Sequence, residues 1–589
     1  MKKIILILLL LLITTITFSE EAMYPTTIGQ MNAEAKLFGH GEISGLKNGE
    51  EVKFQTLTFQ ETDYQKLNQI KEELQINGTI IYPKYILDEF GNKYAVFSIK
   101  ENGDFNYTIT ADLTITSLIF ELTDYNIGNS PEEVKNFLEP TEKIESSSTQ
   151  IAVVEKNKLT TQSFLDSLNS TIAWTNDYVE YAQGTDFQKY YLLQKSALET
   201  LLTRKGVCDE FANLGAALLR SKKIPTRLAI GITFDGKEWG NHAWIEIYHN
   251  KFGWLPSDPT FRESGFVDAT HIKMGSFSDV TLSLAKSSFP STANVTFDTQ
   301  GTLPEVKVKN SQYFNDIEIQ TTASELKTQQ WNNVTLKLKN KTKGTIVTPI
   351  KVAGPSTNYL GVVACVKDKE ECLIVDESKQ SVILGPEETK EITFKFFPNI
   401  NLDNEHKIET KISFFSLAEP YSKDITIIKG SPNNNSELRI KDVTQLVDIG
   451  KVTLQITALN LFTEDKLIDI NINTENQLIN YQEIIPALST KIINKEIMQE
   501  DENWTYHLTI STPSAIYSQI IVGPDKTSGS IIVRPIEIKP TVVEQKVQTN
   551  QEKSMFTTLL ENPIVLVIAL LSGIAIMLFG LFMVNKHYL

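Results

Sequence analysis

Between Pro563 and Val584 the chain is apolar and carries no charge, and about twenty such residues span a bilayer. Asn585, Lys586 and His587 follow. At the other end, Met1 to Ser19 reads as Lys2 and Lys3, an apolar run from Ile4 to Ile13, then small and polar residues around Thr17 and Ser19, the pattern of a secretory signal peptide. The T-x-S ending is weaker than A-x-A, so an uncleaved anchor is the alternative to cleavage. Basic residues after the C-terminal run place a very short tail in the cytoplasm and everything before the run outside it. The expectation is a single-pass cell-membrane protein with an extracytoplasmic ectodomain.

A net charge of −16 with no basic cluster disfavours nucleic acid or an anionic lipid surface as a partner, since a basic face would be expected. The length accommodates about three or four domains. The texture changes along the chain accordingly. Residues 23–125 alternate apolar and polar and are broken by turn signals; "YAVFSIKENGDFNYTITADLTITS" reads as strand, Asn-Gly turn, strand in a small β domain. From Pro131 the pattern is helical, with one helix opening at Glu132 and another over Ser170–Ala182, and residues 131–285 form an α+β core. Short β-rich runs at 292–428 and 437–538 predict two immunoglobulin-like β-sandwiches, and 539–562 a stalk leading to the span at 563–584. Sequons such as Asn77 and Asn340 agree weakly with an extracytoplasmic surface.

Of three cysteines, Cys365 and Cys372 lie at a spacing that a loop or hairpin disulfide can bridge. Cys208 is left alone, either as a buried inert side chain or as a reactive thiol. Phe211, Leu214, Gly215, Leu218 and Leu219 follow it at helical steps, so Cys208 opens an amphipathic helix on its buried side. Unpaired N–H groups and the dipole at a helix N-terminus favour a thiolate.

A nucleophilic cysteine needs a base. His40, His406, His507 and His587 fall outside the core. His249 sits where a turn is expected, and His271 lies in a stretch whose pattern says nothing. His242 opens "HAWIEIY", a strand with His242, Trp244, Glu246 and Tyr248 on one face. A turn at 249–252 folds the next strand back, which brings Asp258 of "GWLPSDPTF" beside His242, where a carboxylate orients an imidazole and stabilises its cation. Taken alone, Asp258 before Pro259 is equally an ordinary turn residue.

The ordered set Gly206-Val207-Cys208, Ile224-Pro225-x-Arg227, His242-Ala243-Trp244-x-Glu246 and Trp254-x-x-x-Asp258-Pro259 resembles the transglutaminase-like core. Lys223 departs from the pattern, which often has Gly there. The resemblance implies a papain-like α+β fold with Cys208 as nucleophile, His242 as base and acid, and Asp258 orienting the histidine; Arg227 and Pro225 look structural. The implied function is a cell-surface cysteine enzyme that acts on protein or peptide amide bonds through a thioester, as a peptidase or amidase or as a cross-linking transglutaminase. The alternative is a non-catalytic adhesion or scaffold protein with a degenerate core. A second oxyanion donor is left open among Trp174, Asn176 and Gln194. No cofactor and no metal are expected, since neither ligand spacing nor a phosphate- or dinucleotide-binding loop occurs.

Overall fold

A computed structural model describes residues 27–535 apart from 123, 125–126, 128–129, 160, 280–284, 298–303, 354–372, 432–435, 449–450, 475–477, 499–504, 514 and 523–531. The expected signal peptide, stalk, membrane span and Cys365–Cys372 disulfide lie outside the described residues. Among those described, no helix is long and apolar enough to cross a membrane.

The chain opens with strands β1 (Ile28–Ser44), β2 (Val52–Leu57), β3 (Gln65–Ile76), β4 (Thr79–Ile81), β5 (Lys84–Leu87), β6 (Lys93–Ile99) and β7 (Gly103–Thr116). β1 pairs with β7 from Gln30↔Thr116 to Ile43↔Gly103, and alternate residues Met31, Ala33 and Ala35 are buried, as period-two patterning requires. The Asn-Gly turn makes no hairpin: β6 pairs with β2 and β5, whereas β7 pairs with β1 and β3. The Asn102 side chain bonds both the N–H and the carbonyl of Leu46, each at 2.8 Å, and Gly103 has φ +138°. The turn therefore carries the chain from one sheet to the other.

The next region holds a 3-10 turn at Glu132–Leu138 in place of the expected helix, then α1 (Thr149–Lys158), α2 (Phe164–Tyr178), β8 (Glu180–Tyr181), α3 (Gly184–Leu193), α4 (Ala197–Thr203), β9 (Lys205–Gly206) and α5 (Cys208–Ser221). The expected helix at 170–182 is α2, which starts earlier because Ser163 caps it through the Asp166 N–H. Tyr181 has left the helix and lies in β8, parallel to β9. Four antiparallel strands follow in the order β12-β11-β10-β13, with β10 at Thr226–Phe234, β11 at Trp239–His249, β12 at Gly253–Ser257 and β13 at Ile272–Phe277.

This sheet is covered on both faces. Ala243, Ile245 and Ile247 of β11 join Leu214 and Leu218 of α5 in one core, while Trp244 joins Ala33, Leu113 and Ile272 in another against the N-terminal sheet. The face of β11 that alternation marks as polar is thus buried too. α5 ends with Ile224 N–H bonded to the Leu219 carbonyl and Lys223 N–H to that of Arg220, both at 2.9 Å, with Lys223 at φ +66°. That is a Schellman ending, whose left-handed position favours glycine; it accounts for the departure at Lys223.

β14 (Ala285–Ser288), β15 (Asn294–Phe297) and β16 (Glu305–Tyr313) return to the N-terminal layer: β14 pairs with β2, and β15 and β16 pair with β1. The boundary read at 292 falls inside this return, which covers the second edge of a seventeen-residue strand. Two pairs of sheets then occupy Ile317–Ile428 and Leu438–Pro535, each with its own apolar interior. The second pair touches the core where Tyr178 Oη donates to Gln455 Oε1 at 2.8 Å. Asn340, a sequon residue, is fully buried and donates to the carbonyls of Gly344, Leu384 and Gly385, so it is no glycan acceptor in the folded chain.

Candidate active site

Cys208 is the first residue of α5, so its backbone N–H has no acceptor inside the helix. Gly206 is required two residues earlier, because a Cβ there would stand 2.3 Å from Glu210 Cβ. Buried Glu210 accepts from the N–H groups of Val207 at 2.7 Å and Lys195 at 2.6 Å; its burial pushes the carboxyl up to about 7. Cys208 is itself only 6% exposed. Sγ lies 3.8 Å from Asp209 Oδ1. Burial pushes the thiol well above its usual value and the Asp209 carboxylate adds to this, against a smaller opposing contribution from a hydrogen bond with the Ala243 backbone. Desolvation and a neighbouring anion thus oppose the thiolate that the helix end favours.

The hairpin of β11 and β12 pairs Ile245 with Ser257, and the next residue, Asp258, reaches back to His242. The contact His242 Nε2···Asp258 Oδ2 is 2.7 Å. Oδ1 accepts from the backbone N–H of Thr260 at 2.7 Å and of Phe261 at 3.3 Å. Burial opposes ionisation of Asp258, yet His242 and His271 hold its carboxyl well below the usual carboxylate range. With Nε2 committed, Nδ1 is the nitrogen of His242 left for proton exchange. The ring stacks on Phe261 with centroids 4.8 Å apart, and Ala243, whose backbone bonds the thiol, is its chain neighbour. The chain thus brings Cys208, His242 and Asp258 into one buried region.

His271 belongs to the same cluster, and the sequence offered no signal for it. It is fully buried, with Nε2 3.1 Å from Asp258 Oδ2 and Nδ1 3.2 Å from Asp268 Oδ1. Burial disfavours its charge, but the hydrogen bonds to Asp258 and Asp268 and the nearby Glu263 hold it up to about 10. The register explains its position: β10 pairs Gly231 with both His242 of β11 and Lys273 of β13, so the start of β13 lies two strands from His242.

Below this cluster Glu246 accepts from Arg227 Nε at 2.7 Å, from Ser276 Oγ at 2.9 Å and from Lys273 Nζ. Burial works against its charge, and Lys273 and Arg227 overcome it, leaving the carboxyl at about 2. Arg227 and Glu246 of the sequence motifs are therefore the two sides of one ion pair beneath the site, with Glu246 buried and Arg227 half-buried.

Of the oxyanion candidates, Asn176 Nδ2 is committed to the carbonyls of Pro259 at 2.9 Å and Thr260 at 2.8 Å, which holds the loop carrying Asp258. Gln194 ends α3 in a left-handed conformation. The indole N–H of Trp174 is buried without a partner among the described residues, so it is an unspent donor. Trp174 also lines, with Phe211, Thr260 and Arg262, a cleft of about 1390 Å³ shared with the β-sandwich strands. His242, Asp258 and His271 lie close enough to surround a cation, as do Glu263, Asp268 and His271. The ring nitrogens facing these carboxylates already serve in hydrogen bonds, which makes the cluster a hydrogen-bonded chain.

Residues 153–259 match the transglutaminase-like superfamily, the region that contains Cys208, His242 and Asp258. An uncharacterised protein of Mycobacterium leprae is 28% identical over 123 residues, 19% of this chain and 40% of its own length. The Bacillus subtilis protein YebA, also uncharacterised, is 36% identical over 72 residues, 10% of each chain. The chain thus spans less than half of either relative. Among solved structures, a candidate cysteine protease from Cytophaga hutchinsonii shares 19% identity and a TM-score of 0.37, over 49% of this chain and 93% of that one.

Proposed function

We propose that this chain, with its transglutaminase-like domain at 153–259, is a cell-surface cysteine enzyme that acts on protein or peptide amide bonds through a thioester. The observation that carries the reading is the buried His242–Asp258 contact at 2.7 Å, which leaves Nδ1 of His242 to serve a thiol at the head of α5. In this mechanism His242 takes the Cys208 proton, and the thiolate attacks the amide carbonyl carbon. The resulting oxyanion lies against the Cys208 backbone N–H and, in this proposal, the Trp174 indole. As the C–N bond breaks, the imidazolium gives its proton to the departing amine and a thioester remains on Sγ. Water or an amine then attacks, His242 removes its proton, and the released thiolate is reprotonated. Asp258 stabilises the imidazolium at each stage.

The signal-like N-terminus and the apolar run at 563–584 support a membrane-anchored site facing proteins or peptides outside the cell. One observation favours the non-catalytic adhesion or scaffold reading instead: Cys208 and His242 are each only 6% exposed. The two readings part on one assay. The full chain is incubated with lysine-blocked casein and a biotinylated primary amine, and casein deamidation, casein cleavage, amine incorporation and acylation of Cys208 are followed by mass spectrometry. The enzyme reading expects at least one of these, lost in Cys208→Ala; none of them with folded protein would leave the scaffold.

A further inference from the structure

We propose that His271 is a positioning residue of this site, a buried cation that shares Asp258 with His242 and sets the pH at which Cys208 and His242 exchange their proton. The inference rests on the assignment of Cys208 as nucleophile and His242 as base. Its first support is geometric. Nε2 of His271 faces Asp258 Oδ2 at 3.1 Å, and Nδ1 faces the Asp268 carbonyl at 3.3 Å and Asp268 Oδ1 at 3.2 Å. These partners accept and do not donate. A neutral imidazole has one N–H and would set a lone pair against one of them, whereas the imidazolium donates to both.

The second support is charge. Asp258, Glu263 and Asp268 surround the ring, with Lys351 reaching the cluster from the adjoining sandwich strand Ile346–Ala353. Burial and Asp268 push the Glu263 carboxyl well above its usual range. Lys351, which burial pushes down to about 8, faces Glu263, Asp268 and Asp258 as well. A cation at His271 offsets carboxylate charge that would otherwise lie buried without a partner, as low-dielectric surroundings demand.

The consequence for chemistry follows from sharing one oxygen. His242 and His271 both contact Asp258 Oδ2, with ring centroids 5.6 Å apart. A cation beside the carboxylate they share favours the thiolate of Cys208. Removing it moves the Cys208 titration to higher pH, by about one unit or more at the effective dielectric of a protein.

The test is the alkylation rate of Cys208 by iodoacetamide in the full chain between pH 4 and 10, read by peptide mass spectrometry, in the wild type and in His271→Gln. The expected result is a wild-type midpoint below that of an ordinary thiol and an alkaline shift of about one unit in the variant. An unchanged midpoint in folded His271→Gln overturns the proposal; an ordinary thiol midpoint in the wild type removes the Cys208–His242 pair on which it rests. If His271→Gln does not fold, ring ¹⁵N shifts of the labelled wild type decide it. Two protonated ring nitrogens on His271 at pH 8 support the cation, and one overturns it, as does a stoichiometric metal ion found on His271.

Discussion

His242 and His271 meet on one atom: Asp258 Oδ2 lies 2.7 Å from Nε2 of the first and 3.1 Å from Nε2 of the second. In the proposed mechanism one carboxylate thus divides its charge between a ring that changes protonation and a ring that does not. Its other oxygen is held by the N–H groups of Thr260 and Phe261, so Asp258 has little freedom to turn.

This arrangement predicts a pH-dependent stability difference between the wild type and His271→Gln. Against burial, its hydrogen bonds and carboxylate neighbours hold His271 up to about 10 from a reference of 6.5. A raised value contributes stability that is fully present below the unfolded value and is lost as pH rises through the folded one. The gap in Tm should therefore be constant from pH 5 to about 6.5 and close progressively toward about pH 10. Lys351 titrates in both proteins, which is why the gap is followed and not either Tm. A gap independent of pH would mean that His271 is neutral in the fold.

Glu246→Ala should destabilise the core by about 3–5 kcal/mol, because it strands Lys273 and Arg227 without their carboxylate. Urea unfolding followed through Trp244 fluorescence checks this. The loss should exceed that of Arg227→Ala, whose side chain is 17% exposed against 7% for Lys273. Equal, small losses would show that the pair is solvated.

Lys223→Gly should act in the opposite direction. Lys223 holds φ +66° at the end of α5 and is exposed, so glycine relieves a left-handed strain of roughly 1 kcal/mol, partly offset by the greater freedom glycine gives the unfolded chain. A small rise in the unfolding midpoint is expected, with Cys208 reactivity unchanged; a fall would show that the lysine side chain holds the turn.

Much of the site was legible because its geometry is local. The stripe after Cys208 gives α5, and the turn before Gly253 gives the hairpin that joins His242 to Asp258. His271 was not legible, since its place depends on β13 pairing back onto β10 across the Gly231 position, a contact that no spacing encodes. The burial of Trp244 and Glu246 escaped for a related reason: the N-terminal sheet covers a face that alternation marks as polar. The Asn102-Gly103 turn likewise has the composition of a hairpin but serves two sheets, a choice made by the Leu46 backbone. The return of β14–β16 to the first layer looks, strand by strand, like the sandwich that follows.

In the proposed mechanism Cys208 reacts as one unit with His242. Burial and Asp209 push the Cys208 thiol up, and a paired imidazolium opposes that shift. The most direct measurement is the rate of Cys208 alkylation at pH 6 in the wild type and in His242→Ala, with folding verified in both. Rapid labelling of the wild type is expected well below the ordinary thiol value of about 8.5, with its loss in the variant, where labelling waits for alkaline pH. Equal, slow labelling of both proteins, rising only as an ordinary buried thiol titrates, would contradict it.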